Sequence, residues 1–273
     1  MVDAVTDGTE GSQLGIDTSV AHPARRYNYW LGGKDNFAAD RESGDEFVRQ
    51  FPSIRTGARA NRAMLQRAVR FLAAERGLRQ FLDIGTGLPT ADNTHEVAQR
   101  IDPEARVVYV DNDPLVMTHA RALLTSAKGG ATAYLEADLR EPAAILREAR
   151  ATLDFTQPVA VMLVAVLHFI PGDGAALPLV RELVDALPPG SYLTVTHATT
   201  DFAPPEKREA HAQMRAAGRS DVWPRGRDEF AELFDGLTLE EPGIVPVSEW
   251  RPDEGAEIPP RRDVAVWGAV ARK

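Results

Sequence analysis

The chain has 273 residues, enough for one large α/β domain, and its 44% apolar and 26% charged content is that of a globular protein. Cysteine is absent, which excludes a disulfide framework, a cysteine nucleophile and a thiolate metal site, and the net charge of −9 argues against a nucleic-acid partner. No apolar run reaches the ~20 residues of a membrane span, and residues 1–20 lack the basic start and apolar run of a secretory signal, so the cytoplasm is the expected address.

Residues 1–20 are polar and read as a disordered tail, with 21–273 as one domain. The stretch RRYNYWLGGKDNF, Arg25 to Phe37, concentrates aromatics, glycines and charges. It shows neither a sustained helical period nor the alternation of a strand. Next, ADRESGDEFVRQFP predicts a helix carrying Phe47 and Val48, stopped near Pro52. A longer helix follows from a Ser53 cap to Gly77, with Ala58, Leu65, Ala68, Val69 and Leu72 near one face. The arginines at 25, 26 and between 55 and 70 read as solvated helix faces.

From here strands and helices alternate. QFLDIGTG is a buried strand running into a glycine turn, and TADNTHEVAQRI a helix. ARVVYVDND is a second strand, and PLVMTHARALLT a helix with Pro114 in its first turn. ATAYLEAD is a third strand and PAAILREAR another helix. PVAVMLVAVLHFI is a continuous apolar run, as expected of a central strand covered on both faces. A helix over GAALPLVRELVDAL leads to a fifth strand in PPGSYLTVTHAT. Residues 199–227 are the least patterned segment. After the short helix GRDEFAELFDG, LTLEEPGIVPVSEW and DVAVWGAVARK predict an antiparallel pair at one sheet edge, joined by a polar, proline-rich loop. The whole predicts a mostly parallel sheet with helices on both faces.

The chemistry concentrates at the strand ends. Gly85 and Gly87 form the first strand-to-helix turn, where glycine permits a tight bend and a close ligand. Asp111 ends the second strand and can accept both hydrogens of a ribose diol; Asp138 ends the third and can accept from an exocyclic adenine amine. Pro89 and Thr90 stand where a dinucleotide turn would place its last small residue, which disfavours a nicotinamide-dependent oxidoreductase. Neither a P-loop lysine, a G-x-S-x-G elbow nor a zinc-ligand pair at i,i+4 is present, so no metal is expected.

Asp83-x-Gly85-x-Gly87, followed by an acid ending the next strand, resembles motifs I and II of class I S-adenosylmethionine-dependent methyltransferases. EADLR, VAVMLVAVLHFI and LPPGSYLTVTH resemble that family's later motifs, over roughly residues 53–273. RRYNYWLGGKDNFAADRE, with DIGTGLPT and YVDNDPLV, resembles a mostly actinobacterial family of S-adenosylmethionine-dependent methyltransferases of unknown substrate. The third glycine of motif I is replaced by Pro89.

This resemblance implies a Rossmann-like, seven-stranded sheet closed by an antiparallel hairpin. It implies S-adenosylmethionine as cofactor, held by Asp83, Gly85, Thr86, Gly87, Asp111, Asn112, Asp138, Leu139 and Val164. It also implies that residues 21–52 cover the cofactor. Lys34 then pairs with the methionine carboxylate, Gly33 allows close approach, and the aromatics Tyr27, Tyr29 and Trp30 are the candidates to wall the sulfonium. The plainer alternative is that these aromatics pin the segment to the sheet. His168 and His197, at the ends of strands four and five, are candidate general bases for an oxygen or nitrogen acceptor. The Asn/Asp-Pro-Pro-aromatic signature of DNA- and glutamine-methylating enzymes is missing after strand four. The expected acceptor is therefore a small molecule, bound by the segments after strands four and five and by residues 199–227. Cofactor binding without catalysis is the alternative.

Overall fold

The structure is a computed structural model, and it describes residues 17–123 and 126–273. Most of the expected tail 1–20 lies outside the described residues.

The expected strand–helix alternation is present. Strands β1 (Gln80–Ile84), β2 (Arg106–Asp111), β3 (Ala131–Glu136), β4 (Ala160–Val164) and β5 (Tyr192–Ala198) pair in parallel in the order β3-β2-β1-β4-β5. The order reverses between β1 and β4, which opens a crevice beyond their C-terminal ends. Side chains alternate across the sheet. Leu82, Val108, Val161 and Leu193 enter one core with α6 (Pro142–Ala149), α7 (Ala176–Asp185) and α9 (Arg227–Glu232). Phe81, Val107, Met162 and Tyr192 enter the other, against α3 (Ile54–Arg76) and α4 (Thr94–Ile101). Helix α5 (Pro114–Leu123) packs over β2 and β3.

The antiparallel edge differs from expectation in one respect. Strand β8 (Val266–Arg272) pairs antiparallel with β5 throughout, but its outer partner is split. Strand β6 (Thr238–Leu239) meets one end of β8 and β7 (Val245–Pro246) the other, giving eight strands rather than seven. Pro242, which lacks an N–H, and Gly243, at φ 82°, turn the chain between them.

Strand β4 is also shorter than its apolar run. Ala165 takes the left-handed conformation at φ 56° and residues 167–169 form a 3₁₀ turn, so the second half of the run folds over the sheet edge. The Ala165 N–H is held by Thr196 Oγ1 at 2.9 Å.

The first half of the stretch from Arg25 to Phe37 lies in a helix, α1 (Pro23–Trp30). Three of its four buried residues, Arg25, Arg26 and Asn28, are polar, so no apolar period marked it. Those arginines are not solvated. Arg25 Nε lies 3.0 Å from Asp113 Oδ2, and Arg26 Nη2 lies 2.6 Å from Asp221 Oδ1. Asp40, at the start of α2 (Ala38–Gln50), accepts from the backbone N–H groups of His22 and Phe37, both at 2.8 Å. One buried carboxylate thus ties the first turns of α1 and α2 together. Trp30 meets Phe47 edge to face at 5.7 Å. Helices α8 (Pro205–Ala216) and α10 (Arg261–Val264) complete the roof. Among the described residues no helix is long and apolar enough to cross a membrane.

Candidate functional site

A cavity of about 660 Å³ lies beyond the C-terminal ends of β1, β2, β4 and β5. Helices α1, α3, α8 and α10 and the segment 221–224 border it. Its volume falls in the range of small-molecule and cofactor sites. Asp83, Gly85, Thr86, Gly87, Asp111, Asn112, Asp138, Leu139, Val164 and His168 all line it.

The glycine turn has two different jobs. Gly85 sits at φ 74°, and a Cβ there would overlap the Val166 side chain, so it admits the folded-over end of β4. Gly87 sits at φ 67° with open space where a Cβ would stand, leaving backbone accessible to a ligand. Its N–H donates to Asp111 Oδ2 at 2.9 Å, while the Asp113 N–H donates to Asp111 Oδ1 at 3.0 Å. Each oxygen keeps a further lone pair. Burial pushes the Asp111 carboxyl above its ordinary pKa, and these two donors oppose the push.

Asp138 is clasped by Arg140, whose Nε and Nη2 reach its two oxygens at 2.9 and 2.6 Å. That pairing holds Asp138 below the usual carboxylate range. Asp83 is buried deeper, and its Oδ2 accepts from Thr94 Oγ1 at 2.5 Å. Burial lifts its pKa to about 6, against the pull of Thr94 and Arg62. A native pKa above the unfolded one makes folding favour the protonated acid. Stability therefore falls as pH rises from about 4 to about 6, by roughly 2–3 kcal/mol, and stays lower above that window. Asp83→Asn keeps an acceptor for Thr94 and removes the charge. Its thermal midpoint is expected to exceed wild type at pH 7.5 and to converge with it below pH 4; a gap independent of pH would contradict the shift.

Four expected site residues lie away from the cavity wall. The Tyr29 hydroxyl donates to Asp45 at 2.8 Å and its ring faces Arg55, while Tyr27 and Trp30 line the cavity instead. Both of these also pack in the N-terminal apolar cluster, so pinning and lining coexist. A Cβ at Gly33 would overlap the Asn28 side chain, and Gly33 is not among the residues that line the cavity. Lys34 is exposed and outside the lining.

His197 is fully buried and turned away from the cavity. Its Nδ1–H donates to the Ala198 carbonyl and its Nε2 accepts from Arg225, both at 2.8 Å. Burial holds its pKa well below normal. Both ring nitrogens are therefore engaged within the protein. His168 does line the cavity. Its Nδ1 accepts from the Ala198 N–H at 3.4 Å, which puts the proton on Nε2. Burial, with Arg26 and Arg225 nearby, lowers its pKa to about 3. It suits a neutral hydrogen-bond donor better than a base.

Several lining or supporting residues were not foreseen. Asp113 accepts from Arg25 and lies 3.1 Å from His22 Nδ1. Burial would raise it, but these partners and the Leu115 N–H hold it near 2. It straps α1 across the end of β2. Asn61 and Arg62 of α3 face the cavity beside Asp83. Their only sequence signal was polarity within an apolar helix face, between Ala58 and Leu65.

A parallel sheet reversed between β1 and β4, an antiparallel strand at its edge, and a glycine turn facing strand-end acids define a class I, Rossmann-like methyltransferase fold. The family described as S-adenosyl methyltransferase matches residues 9–273, and this chain belongs to it. S-adenosylmethionine is the cofactor that this family's description carries. A protein of the DUF574 family from Streptomyces avermitilis is 49% identical, with a TM-score of 0.89 over 94% of this chain and 99% of its own. A structure named as a candidate methyltransferase from Thermobifida fusca is 41% identical, with a TM-score of 0.86 over 97% of this chain and 99% of its own. A Mycobacterium tuberculosis protein, named as a candidate S-adenosyl-L-methionine-dependent methyltransferase, is 29% identical over 195 residues, 68% of this chain. The chain spans 55% of the length of that curated relative.

Proposed function

We propose that this chain binds S-adenosylmethionine in the cavity and transfers its methyl group to an oxygen or nitrogen atom of a small molecule. The observation that carries this reading is Asp111: a buried carboxylate, oriented by the Gly87 and Asp113 N–H groups, on the cavity wall. Its spare lone pairs suit a ribose diol, and Asp138 with Leu139, one strand further out, suits an adenine. Thr86 and Asn112 flank these positions and Val164 ends the wall on the β4 side. When bound, S-adenosylmethionine supplies a methyl group already activated on a sulfonium sulfur.

The chain's own residues then have to align an acceptor and keep water out. The cavity as a whole offers side chains suited to that. Trp30, Phe51, Ile54, Phe169 and Val222 give it apolar walls, and Thr199, Lys207 and His211 add polar points. Nε2–H of His168 can orient an acceptor oxygen or nitrogen by donation. A small molecule, rather than a nucleic acid, fits a cavity of this size in an acidic chain.

Cofactor binding without turnover is favoured by one observation: neither histidine expected as a base can take a proton near neutral pH. Conversion of S-adenosylmethionine to S-adenosylhomocysteine, measured against a panel of phenols, carboxylic acids and amines, separates the two. Acceptor-dependent conversion is the expected result. Tight cofactor binding with no conversion across the panel would favour the non-catalytic reading.

A further inference from the structure

We propose that the acceptor is an apolar carboxylic acid, drawn in by the Lys207 ammonium and oriented by His168, and that the product is its methyl ester. The proposal rests on the methyl-transfer reading above and narrows it to one class of acceptor.

Contacts between neighbouring segments gather one set of polar groups on the cavity wall. Lys207 of α8 donates from Nζ to the carbonyl of Gln50, the last residue of α2, at 2.7 Å. One helical turn on, His211 meets Phe51 edge to face at 5.7 Å, and its Nε2 lies 3.1 Å from Ser220 Oγ. Asp221 follows, clasped by Arg26 Nη2 at 2.6 and 2.8 Å. Two residues further, the Trp223 N–H donates to the His168 carbonyl at 2.7 Å. Lys207, His211, Asp221 and His168 all line the cavity. Phe51, Phe169 and Val222 supply apolar wall among them.

The charge on this set does not cancel. Arg26 neutralises Asp221. Burial, with Arg215 nearby, lowers the pKa of His211, and that of His168 falls to about 3, so both rings are neutral at pH 7. Lys207 is half-buried, and among the described residues it forms no ion pair. Its bond to Gln50 uses one of three N–H donors. An unpaired ammonium beside apolar walls favours an anion over a neutral or cationic ligand.

The same groups select which anion. None of them is poised to take a proton: both histidines have lowered pKa values, Asp221 spends both oxygens on Arg26, and Lys207 is an ammonium. A phenol or an alkylammonium, with a pKa near about 10, has to lose a proton before it attacks. A carboxylic acid, at about 4, is already ionised. The Nε2–H of His168 is a neutral donor suited to orient it. One carboxylate oxygen attacks the methyl carbon in line with the C–S bond. The C–O bond forms as the C–S pair returns to sulfur, which gives the methyl ester and S-adenosylhomocysteine. The sulfonium and carboxylate charges cancel, and no proton moves.

Decanoate, decanol and decylamine share one apolar chain and differ in charge. In titration calorimetry on protein saturated with S-adenosylhomocysteine, decanoate is expected to bind at least about tenfold tighter than either of the others. Lys207→Met is expected to weaken decanoate about 10- to 100-fold and to leave S-adenosylhomocysteine within about threefold, which also shows that the variant folds. Lys207→Arg, which keeps the charge, is expected to hold decanoate within about threefold of wild type. With S-adenosylmethionine, decanoate is expected to yield methyl decanoate, read by mass spectrometry. Asp263→Asn removes another carboxylate of the cavity wall and is expected to leave that rate unchanged. Equal affinity for the three ligands, or full decanoate affinity in Lys207→Met, would overturn the proposal. A rate loss of about tenfold in Asp263→Asn would place a base there and overturn it as well. Conversion of phenols or amines with no acid converted would overturn it and leave the methyl-transfer reading standing. A wild type that binds no S-adenosylhomocysteine would remove both.

Discussion

Asp111→Ala is expected to weaken S-adenosylmethionine binding by about two to four orders of magnitude, read by titration calorimetry. Two charge-assisted hydrogen bonds to a ribose diol are each worth about 1.5–3 kcal/mol, so losing both removes most of the nucleoside's anchoring. The substitution has a second effect inside the protein. The Gly87 N–H, now held at 2.9 Å, loses its acceptor, and the glycine turn loses its tie to the end of β2. Asp111→Asn separates the two effects, since it keeps one oxygen for Gly87 and drops the charge. Its loss is expected to be smaller, about tenfold to a hundredfold. An unchanged dissociation constant for Asp111→Ala would take the diol away from this residue.

Arg225→Met is expected to cost about 3–5 kcal/mol of folding stability, seen as a lower denaturant midpoint at unchanged slope. The Arg225 side chain is 1% exposed and serves five partners. Nη1 reaches the Leu167 carbonyl and His197 Nε2, Nη2 reaches the carbonyls of Ile170 and Gly172, and Nε reaches Glu229. One guanidinium therefore joins the turn after β4, the end of β5 and the start of α9. Methionine fills the volume but strands three carbonyls, two of them buried, together with His197 Nε2 and a carboxylate. Arg225→Lys is expected to rescue only part of the loss, because a single ammonium cannot fork to partners so far apart. A loss below about 1 kcal/mol would mean the network relaxes onto water instead.

What was legible in the sequence is what a strand writes locally. The apolar runs of β1 to β5, the glycines at 85 and 87 and the acids at 111 and 138 each sit where the alternation of strand and helix places them, at one sheet edge. Helix α1 was illegible because its buried face is charged, and its arginines find Asp113 and Asp221 only in three dimensions. Helix α8 buries just His211 and Met214, too few apolar positions to show a period. His197 was placed correctly at the end of β5, yet neighbouring strand residues point to opposite faces, and its side chain turns to Arg225. Lys34 looked suited to a carboxylate by charge alone. Arg62, inside an ordinary helix, occupies the cavity wall because α3 packs against β4 and β8. Side-chain direction and long-range packing, which the local pattern does not carry, separate these outcomes.

The central claim is that this cavity is a sulfur-nucleoside site. Titration calorimetry of the wild-type protein with S-adenosylmethionine, S-adenosylhomocysteine and NAD tests it most directly. Binding of both sulfur nucleosides, with no heat from NAD, is the predicted result. Binding of NAD alone would contradict it, and would leave the turn from Gly85 to Gly87 and the Asp111 carboxylate serving a different nucleotide.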